Sequence, residues 1–199
     1  ISTGELAAIA EGRHPQPHSV LGQHELDGGG WVIRARRPLA KSVTAIRSNG
    51  TRIALRHAAQ GIWQGHARGR GQSYTLETTY ESGPDWLCED PYRFVPSIGE
   101  IDLYLFGEGR HEKLWDALGA HHRPHEGIEG TSFTVWAPHA KAARVVGDFN
   151  NWDGTGSAMR RLDDNGVWEL FLPGVMAGSA YKFELLTAAG TWVLRADPM

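Results

Sequence analysis

Apolar residues in this chain fall in short runs of four to eight, separated by turn residues, and this pattern predicts strands more than helices. Alternation with a period of two is clearest in Tyr181-Lys182-Phe183-Glu184-Leu185, which sends Tyr181, Phe183 and Leu185 to one face and Lys182 and Glu184 to the other. Three glycines, Gly28 to Gly30, announce a strand from Trp31 to Arg36, and Pro38 ends it. Asn49-Gly50, between Val43–Ile46 and Thr51–Leu55, is the strongest hairpin signal in the chain. Gly61-Ile62-Trp63, Tyr74 to Glu77 and the region around Trp86-Leu87 complete a first set of strands. A second set reads Ser132–Trp136, Ala143–Val146, Val167–Leu172, Ala180–Leu186 and Thr191–Leu194.

Helical spacing is confined to two places. Ser2 to Ala10 has Ser2 or Thr3 as a candidate N-cap, apolar Leu6 and Ile9, and Gly12 as a stop. His111 to Leu118 places Leu114, Trp115 and Leu118 at i, i+3, i+4 spacing, with Gly119 as its cap. The remainder of Gly99 to Glu129 reads as irregular connection. The pattern therefore predicts a chain that is mostly β, with a short helix at the N-terminus and another in the connection between the two sets of strands.

Composition narrows the function classes. The chain has 199 residues with 25 Gly, 10 Pro and 8 Trp, enough for two units of about 90 residues each. A net charge of -3 and a pI near 6.4 give no basic footprint, so nucleic acid is not an expected partner. The apolar run Leu6–Ala10 is too short for a signal peptide or a membrane span, and no membrane partner is expected. A single cysteine, Cys88, excludes an intrachain disulfide, suits the cytoplasm and is expected to be buried and inert. The chain starts at Ile1 and stops at Asp197-Pro198-Met199, and we read it as part of something longer. His111, His121, His122 and His125 raise the question of a metal, but without cysteine or an H-E-x-x-H frame they fit a solvated or interface loop better. No metal and no cofactor is expected.

The stretch with the most specific chemistry is Val145 to Gly154, V-V-G-D-F-N-N-W-D-G. Asp148, Asn150, Asn151 and Asp153 have short polar side chains that bond their own backbone in turns. Phe149 and Trp152 sit among them. An indole beside amides on an exposed turn offers a flat apolar face with hydrogen-bonding groups around it, the combination that holds a sugar ring; the alternative is that both aromatics cover the edge of the β core.

The chain also repeats itself. Pro38-Leu39-Ala40-Lys41 recurs as Pro138-His139-Ala140-Lys141, Gly61-Ile62-Trp63 as Gly166-Val167-Trp168, Tyr74–Glu77 as Tyr181–Glu184, and Asp90-Pro91 as Asp197-Pro198. The order is kept, which argues for a duplicated β unit. In the first copy the aromatic turn is reduced to Arg47-Ser48-Asn49-Gly50.

These residues carry a family likeness. Thr131 to Pro138 (T-S-F-T-V-W-A-P), the G-D-F-N-N-W-D-G turn, Gly166 to Leu170 and Tyr181 to Glu184 resemble the starch-binding sandwich called carbohydrate-binding module family 48. Pro17 to Gly22, Asp90 to Phe94, Gly99 to Tyr104, Glu108 to His111 and His125 to Thr131 resemble the N-terminal region of bacterial glycogen branching enzymes. The likeness spans essentially the whole chain. It implies an all-β fold of two tandem immunoglobulin-like β-sandwiches joined by a linker with a short helix, plus a short N-terminal helix: a divergent first module over 1–106, a linker over 107–129 and a family 48 module over 130–199, followed in such enzymes by a catalytic (β/α)8 barrel that this chain lacks. It implies a glycosyltransferase that moves an α-1,4-glucan segment to a 6-hydroxyl in glycogen biosynthesis, with α-1,4-glucan or glycogen and the enzyme's own barrel as partners. The carboxylate pair such chemistry needs is not expected here: Asp163-Asp164, Asp148 and Asp153 lie in turns, Glu89-Asp90 precedes Pro91, a small sandwich offers no deep cleft to desolvate any of them, and no catalytic residue is assigned to this segment. The likeness further implies carbohydrate contacts at Trp152, Lys182 and Trp192, on a face that could equally dock on the barrel. The other readings are a stand-alone glycogen-binding module, or the N-terminal modules of a debranching or trehalose-releasing enzyme.

Overall fold

The alternation seen in the sequence becomes antiparallel sheet throughout. In the computed structural model, which describes residues 1–199, the strands sort into two units: residues 1–10 with 18–93, and residues 11–17 with 94–199. The model is mostly strand, with few helices, as the all-β reading requires.

The first unit opens with helix α1 (Thr3–Ala10), started by a capping box in which Ser2 Oγ accepts from the Glu5 N–H at 3.2 Å and the Glu5 carboxylate accepts from the Ser2 N–H at 2.9 Å. Strands β1 (Gly22–Glu25), β2 (Trp31–Arg36), β3 (Ser42–Arg47), β4 (Arg52–Ala59), β5 (Ile62–Ala67), β6 (Tyr74–Thr79) and β7 (Trp86–Glu89) follow. They form one seven-stranded sheet in the order β1-β2-β5-β4-β3-β6-β7. Strand β4 is its corner, because the half from Arg52 to Leu55 pairs with β3, while the half from Arg56 pairs with β5, with a register shift between His57 and Ala59. The sheet folds over at this corner. Ile33, Ala35 and Trp63 thereby meet Val43, Ala45, Tyr74 and Leu76 in one core. Cys88, expected to be buried, is half-buried and accepts a hydrogen bond from Arg37 at 3.2 Å.

The second unit is a two-sheet sandwich built from β8 (Gly119–His125), β9 (Ile128–Trp136), β10 (Ala142–Gly147), β11 (Arg160–Arg161), β12 (Val167–Pro173), β13 (Tyr181–Leu186) and β14 (Trp192–Arg195). One sheet runs β11-β12-β9-β8 and the other β10-β13-β14. Phe133 on β9 meets Tyr181 on β13 at 5.0 Å between ring centroids, which marks the packed interior. Residues 11–17 also belong to this unit: the Pro15 carbonyl accepts from the Arg161 N–H at 3.0 Å, and the Glu11 carbonyl accepts from Arg144 at 3.1 Å.

The two units repeat one connectivity, and the repeated residues make repeated bonds. The Trp63 indole donates to the Arg37 carbonyl and the Trp168 indole to the Ala137 carbonyl, both at 3.0 Å. Gly61 and Gly166 each have positive φ and lie so close to Pro38 and Pro138 that a Cβ would fall 2.8 and 2.2 Å from the proline Cα. The Tyr74 hydroxyl donates to Asp90 at 2.6 Å, and the Tyr181 hydroxyl donates to Asp197. His24 and His121 both bond the carbonyl three residues earlier, Leu21 and Leu118, at 2.9 Å.

That last pair corrects the reading of residues 107–129. The segment is not only a linker, since Gly119–His125 forms β8 and pairs along its length with β9. Leu118-Gly119-Ala120-His121 is the second copy of Leu21-Gly22-Gln23-His24, a match that would have exposed the strand. Residues 100–107, read as irregular, form helix α2 (Glu100–Gly107), and the helix predicted over 111–118 is a single turn, α3 (Leu114–Ala117). No helix is long and apolar enough to cross a membrane.

Strand β12 is buried on both faces. Its inner face is sandwich core, while its outer face carries Val167, packed under Ile98 and Ala117, and Phe171, 4.8 Å from Phe94. Between these lies Glu169, fully buried, which accepts from Arg160 at 2.8 Å and from the Ser97 hydroxyl at 2.6 Å. Arg160 also donates to the Phe94 carbonyl at 3.0 Å, so a buried ion pair pins residues 94–97 onto the sheet.

Candidate functional site

The turn between β10 and β11 separates its two aromatics. Phe149 turns inward, 5.5 Å from Phe133, and covers the core edge. Trp152 stays 44% exposed. The core-edge reading of this turn thus holds for Phe149, while Trp152 remains partly open to solvent.

Short polar residues make the turn rigid. Asn150 accepts from the Gly147 N–H at 2.9 Å and donates to the Val145 carbonyl at 3.0 Å and the Ser157 hydroxyl at 3.1 Å. Asp148 accepts from the Trp152 indole N–H at 3.1 Å and, through its other oxygen, from the Ala180 N–H at 3.2 Å. Asn151 and Trp152 adopt left-handed backbone, φ 52° and 61°. Asn tolerates this conformation, but a bulky residue there is an outlier that the surrounding bonds must hold. The result is an indole tethered through its N–H to Asp148 and still partly exposed to solvent.

Lys182 is exposed on the outer face of the three-stranded sheet, directly across from Val146, as the alternation requires. Trp192 lies opposite Leu186, and Leu186 is four residues along β13 from Lys182, about 13 Å at a strand's rise per residue. Between them sits Arg144, paired across the strands with Glu184. Its guanidinium lies 3.7 Å from the centre of the Trp192 ring and donates to Glu184 at 2.8 Å. Nothing in the residue pattern signals this cation. One face of Trp192 is therefore occupied, and the half-exposed ring has a single face to offer. Lys182 and Trp192 thus share a face of the three-stranded sheet but lie toward opposite ends of β13, and Trp152, whose backbone N–H donates to the Gly147 carbonyl at 3.0 Å, lies in the turn beyond the Lys182 end.

The carboxylates weighed as an acid pair are engaged elsewhere. Asp153 caps the Thr155 N–H at 2.9 Å, Asp163 bonds Asn165, and Glu89 pairs with Arg93 at 2.8 Å. Asp90 is 1% exposed, out of reach of any substrate. Burial raises its pKa, opposed by Arg37 and by the Tyr74 hydrogen bond. The histidines also scatter: His121 and His122 are successive strand residues that point to opposite faces, and no group of three or more His, Cys, Asp or Glu side chains is placed to hold a metal.

Comparison with known proteins agrees with this architecture. Residues 2–92 match the family described as alpha-1,4-glucan branching enzyme GlgB, N-terminal domain, and residues 117–199 match carbohydrate-binding module 48 (isoamylase N-terminal domain). The chain's two domains belong to these two families. The module 48 match begins at Ala117, immediately before β8, and so includes the strand that the sequence reading had left in the linker. The 1,4-alpha-glucan branching enzyme GlgB of Leifsonia xyli subsp. xyli (strain CTCB07) is 52% identical over 204 residues, covering 100% of this chain and 28% of that protein. The enzyme of the same name from Myxococcus xanthus (strain DK1622) is 48% identical over 197 residues, covering 98% and 27%. The chain thus spans just over a quarter of the length of these relatives. Pullulanase from Anoxybacillus sp. LM18-11 is 16% identical, covers 89% of this chain and 25% of its own, and has a TM-score of 0.34, too low to carry an argument.

Proposed function

We propose that this chain is the non-catalytic N-terminal region of a 1,4-alpha-glucan branching enzyme, an enzyme that transfers an α-1,4-glucan segment to a 6-hydroxyl in glycogen biosynthesis. What supports the reading is that one relative bearing that name is 52% identical across the whole chain. Asp148, Asp153, Asp163, Glu89 and Asp90 are engaged in turns, caps and buried bonds, and on this reading the bond-making groups belong to the enzyme's barrel. With one cysteine and glycogen as substrate, the compartment is the cytoplasm.

Within that role, the module 48 domain contacts α-glucan through Trp152 and Lys182, with Trp192 as a further contact. The observation that carries this is the exposed Trp152 ring, held in left-handed backbone with its indole N–H anchored to Asp148. A hexose ring stacks its C–H face on such a plane, and the Lys182 ammonium donates to its hydroxyls. Each contact is worth about 1 kcal/mol, so one site binds weakly and gains by avidity along a polymer. Electrophoresis of the chain through gels containing glycogen tests this. Trp152→Ala and Lys182→Ala should each reduce retardation, and Trp192→Ala should do so to a smaller degree. Unaltered retardation in all three would leave this face as a docking surface for the barrel.

A further inference from the structure

The opposite side of the same sandwich carries a second aromatic plane. Trp136, at the end of β9, is 56% exposed, and its indole N–H donates to the Asn165 carbonyl at 2.8 Å, which fixes the ring. It forms one wall of a groove of about 320 Å³, closed on the other side by Leu105, Phe106, His111 and Leu114. A groove of that size lies within the range of small-ligand sites.

His111 gives this groove a polar requirement. Only 6% of its side-chain surface is exposed, and its ring sits 5.1 Å from that of Phe106. Nε2 lies 3.0 Å from Asp102 Oδ1. A carboxylate oxygen accepts, so Nε2 carries a proton, and in the neutral ring Nδ1 then presents a lone pair. That Nδ1 is buried and has no hydrogen-bond partner. A buried acceptor left unpaired is costly, and a ligand hydroxyl would satisfy it. An apolar side chain from a partner protein would fill the groove but leave the nitrogen unpaired. A hexose offers both an apolar ring face and hydroxyl donors.

We propose that the groove between Trp136 and His111 is a second glucosyl-binding subsite, with the sugar stacked on the Trp136 indole and one hydroxyl donating to His111 Nδ1. This rests on the reading that the chain binds α-glucan. It adds that the sandwich engages glucan from the outer face of each of its two sheets.

Titration of maltoheptaose into the ¹⁵N-labelled 199-residue chain tests it, with Trp136→Phe and Trp152→Gly used to assign the two indole N–H signals. The Trp136 indole and the His111 imidazole nitrogen signals should shift together and saturate. His111→Phe should weaken binding at Trp136 about two- to tenfold, the range for one lost hydrogen bond, without changing the titration of Trp152. Because the unsubstituted chain already reports at both Trp136 and His111, a misfolded variant does not decide the outcome. Movement of Trp152 alone overturns this subsite and leaves the glucan reading standing. Movement of neither indole overturns both.

Discussion

Trp152 allows the platform and the backbone that holds it to be tested separately. Its φ of 61° places an L-residue where left-handed backbone costs about 1–2 kcal/mol. Glycine escapes that cost but is about 0.5–1 kcal/mol worse than alanine through the freedom it has when unfolded. Trp152→Ala and Trp152→Gly delete the same ring, the same indole bond to Asp148 and the same half-buried surface, so those losses cancel when the two variants are compared. At the middle of these ranges what remains favours glycine by about 0.75 kcal/mol, or about 1.5–3 °C in a chain of this size. Thermal unfolding should therefore rank Gly above Ala, the reverse of the usual order, while glycogen-gel retardation falls equally in both. If Ala proves as stable as Gly, the turn does not hold its tryptophan in left-handed backbone. If either variant keeps full retardation, the ring is not the platform.

Three further outcomes follow from the same packing. Gly166→Ala should destabilise by more than about 2 kcal/mol in urea unfolding, and by more than Gly61→Ala, because its Cβ would lie 2.2 Å from Pro138 Cα against 2.8 Å at Pro38, both at positive φ. Glu169→Gln should cost about 3–5 kcal/mol by leaving the buried Arg160 guanidinium without a counter-charge, and replacing both residues by Leu and Met should recover much of it. Alkaline stability should depend on Tyr74 and Tyr181, whose hydroxyls are held protonated above the ordinary phenol range by burial first and by hydrogen bonding to Asp90 and Asp197 second. Above about pH 10 the unfolded chain releases these protons and the native chain keeps them, so stability falls as pH rises; Tyr74→Phe or Tyr181→Phe should flatten that fall in unfolding free energies measured from about pH 9 to about pH 11.

Much of the fold was legible because the duplication preserved residues whose chemistry cannot be exchanged. A glycine against a proline, an indole reaching a carbonyl and a tyrosine reaching an aspartate each leave a mark in the sequence. Strand β8 left little, since G-A-H-H-R-P-H has no apolar alternation and its partner β9 supplies the order. Helix α2 lacks a side-chain cap at Gly99, so no start signal announced it. Glu169 reads as an outward-facing strand residue and is buried because residues 94–97 cover that face. At the candidate site, alternation placed Lys182 correctly on the outer face, but the guanidinium against Trp192 could not be foreseen, because it comes from β10, two strands away in the sheet and 48 positions earlier in the chain.

Residues 11–17 fall within the first unit's stretch of sequence but belong to the second unit, so no single cut in the chain separates the two. Cutting the polypeptide where the first unit stops, near Arg93, would strip Arg144 of its Glu11 acceptor and Arg161 of its Pro15 acceptor. The guanidinium so loosened is the one lying against Trp192. An N-terminal deletion that altered glucan handling would thus not prove that the missing half touches sugar, because the surviving half would have lost part of its own scaffolding.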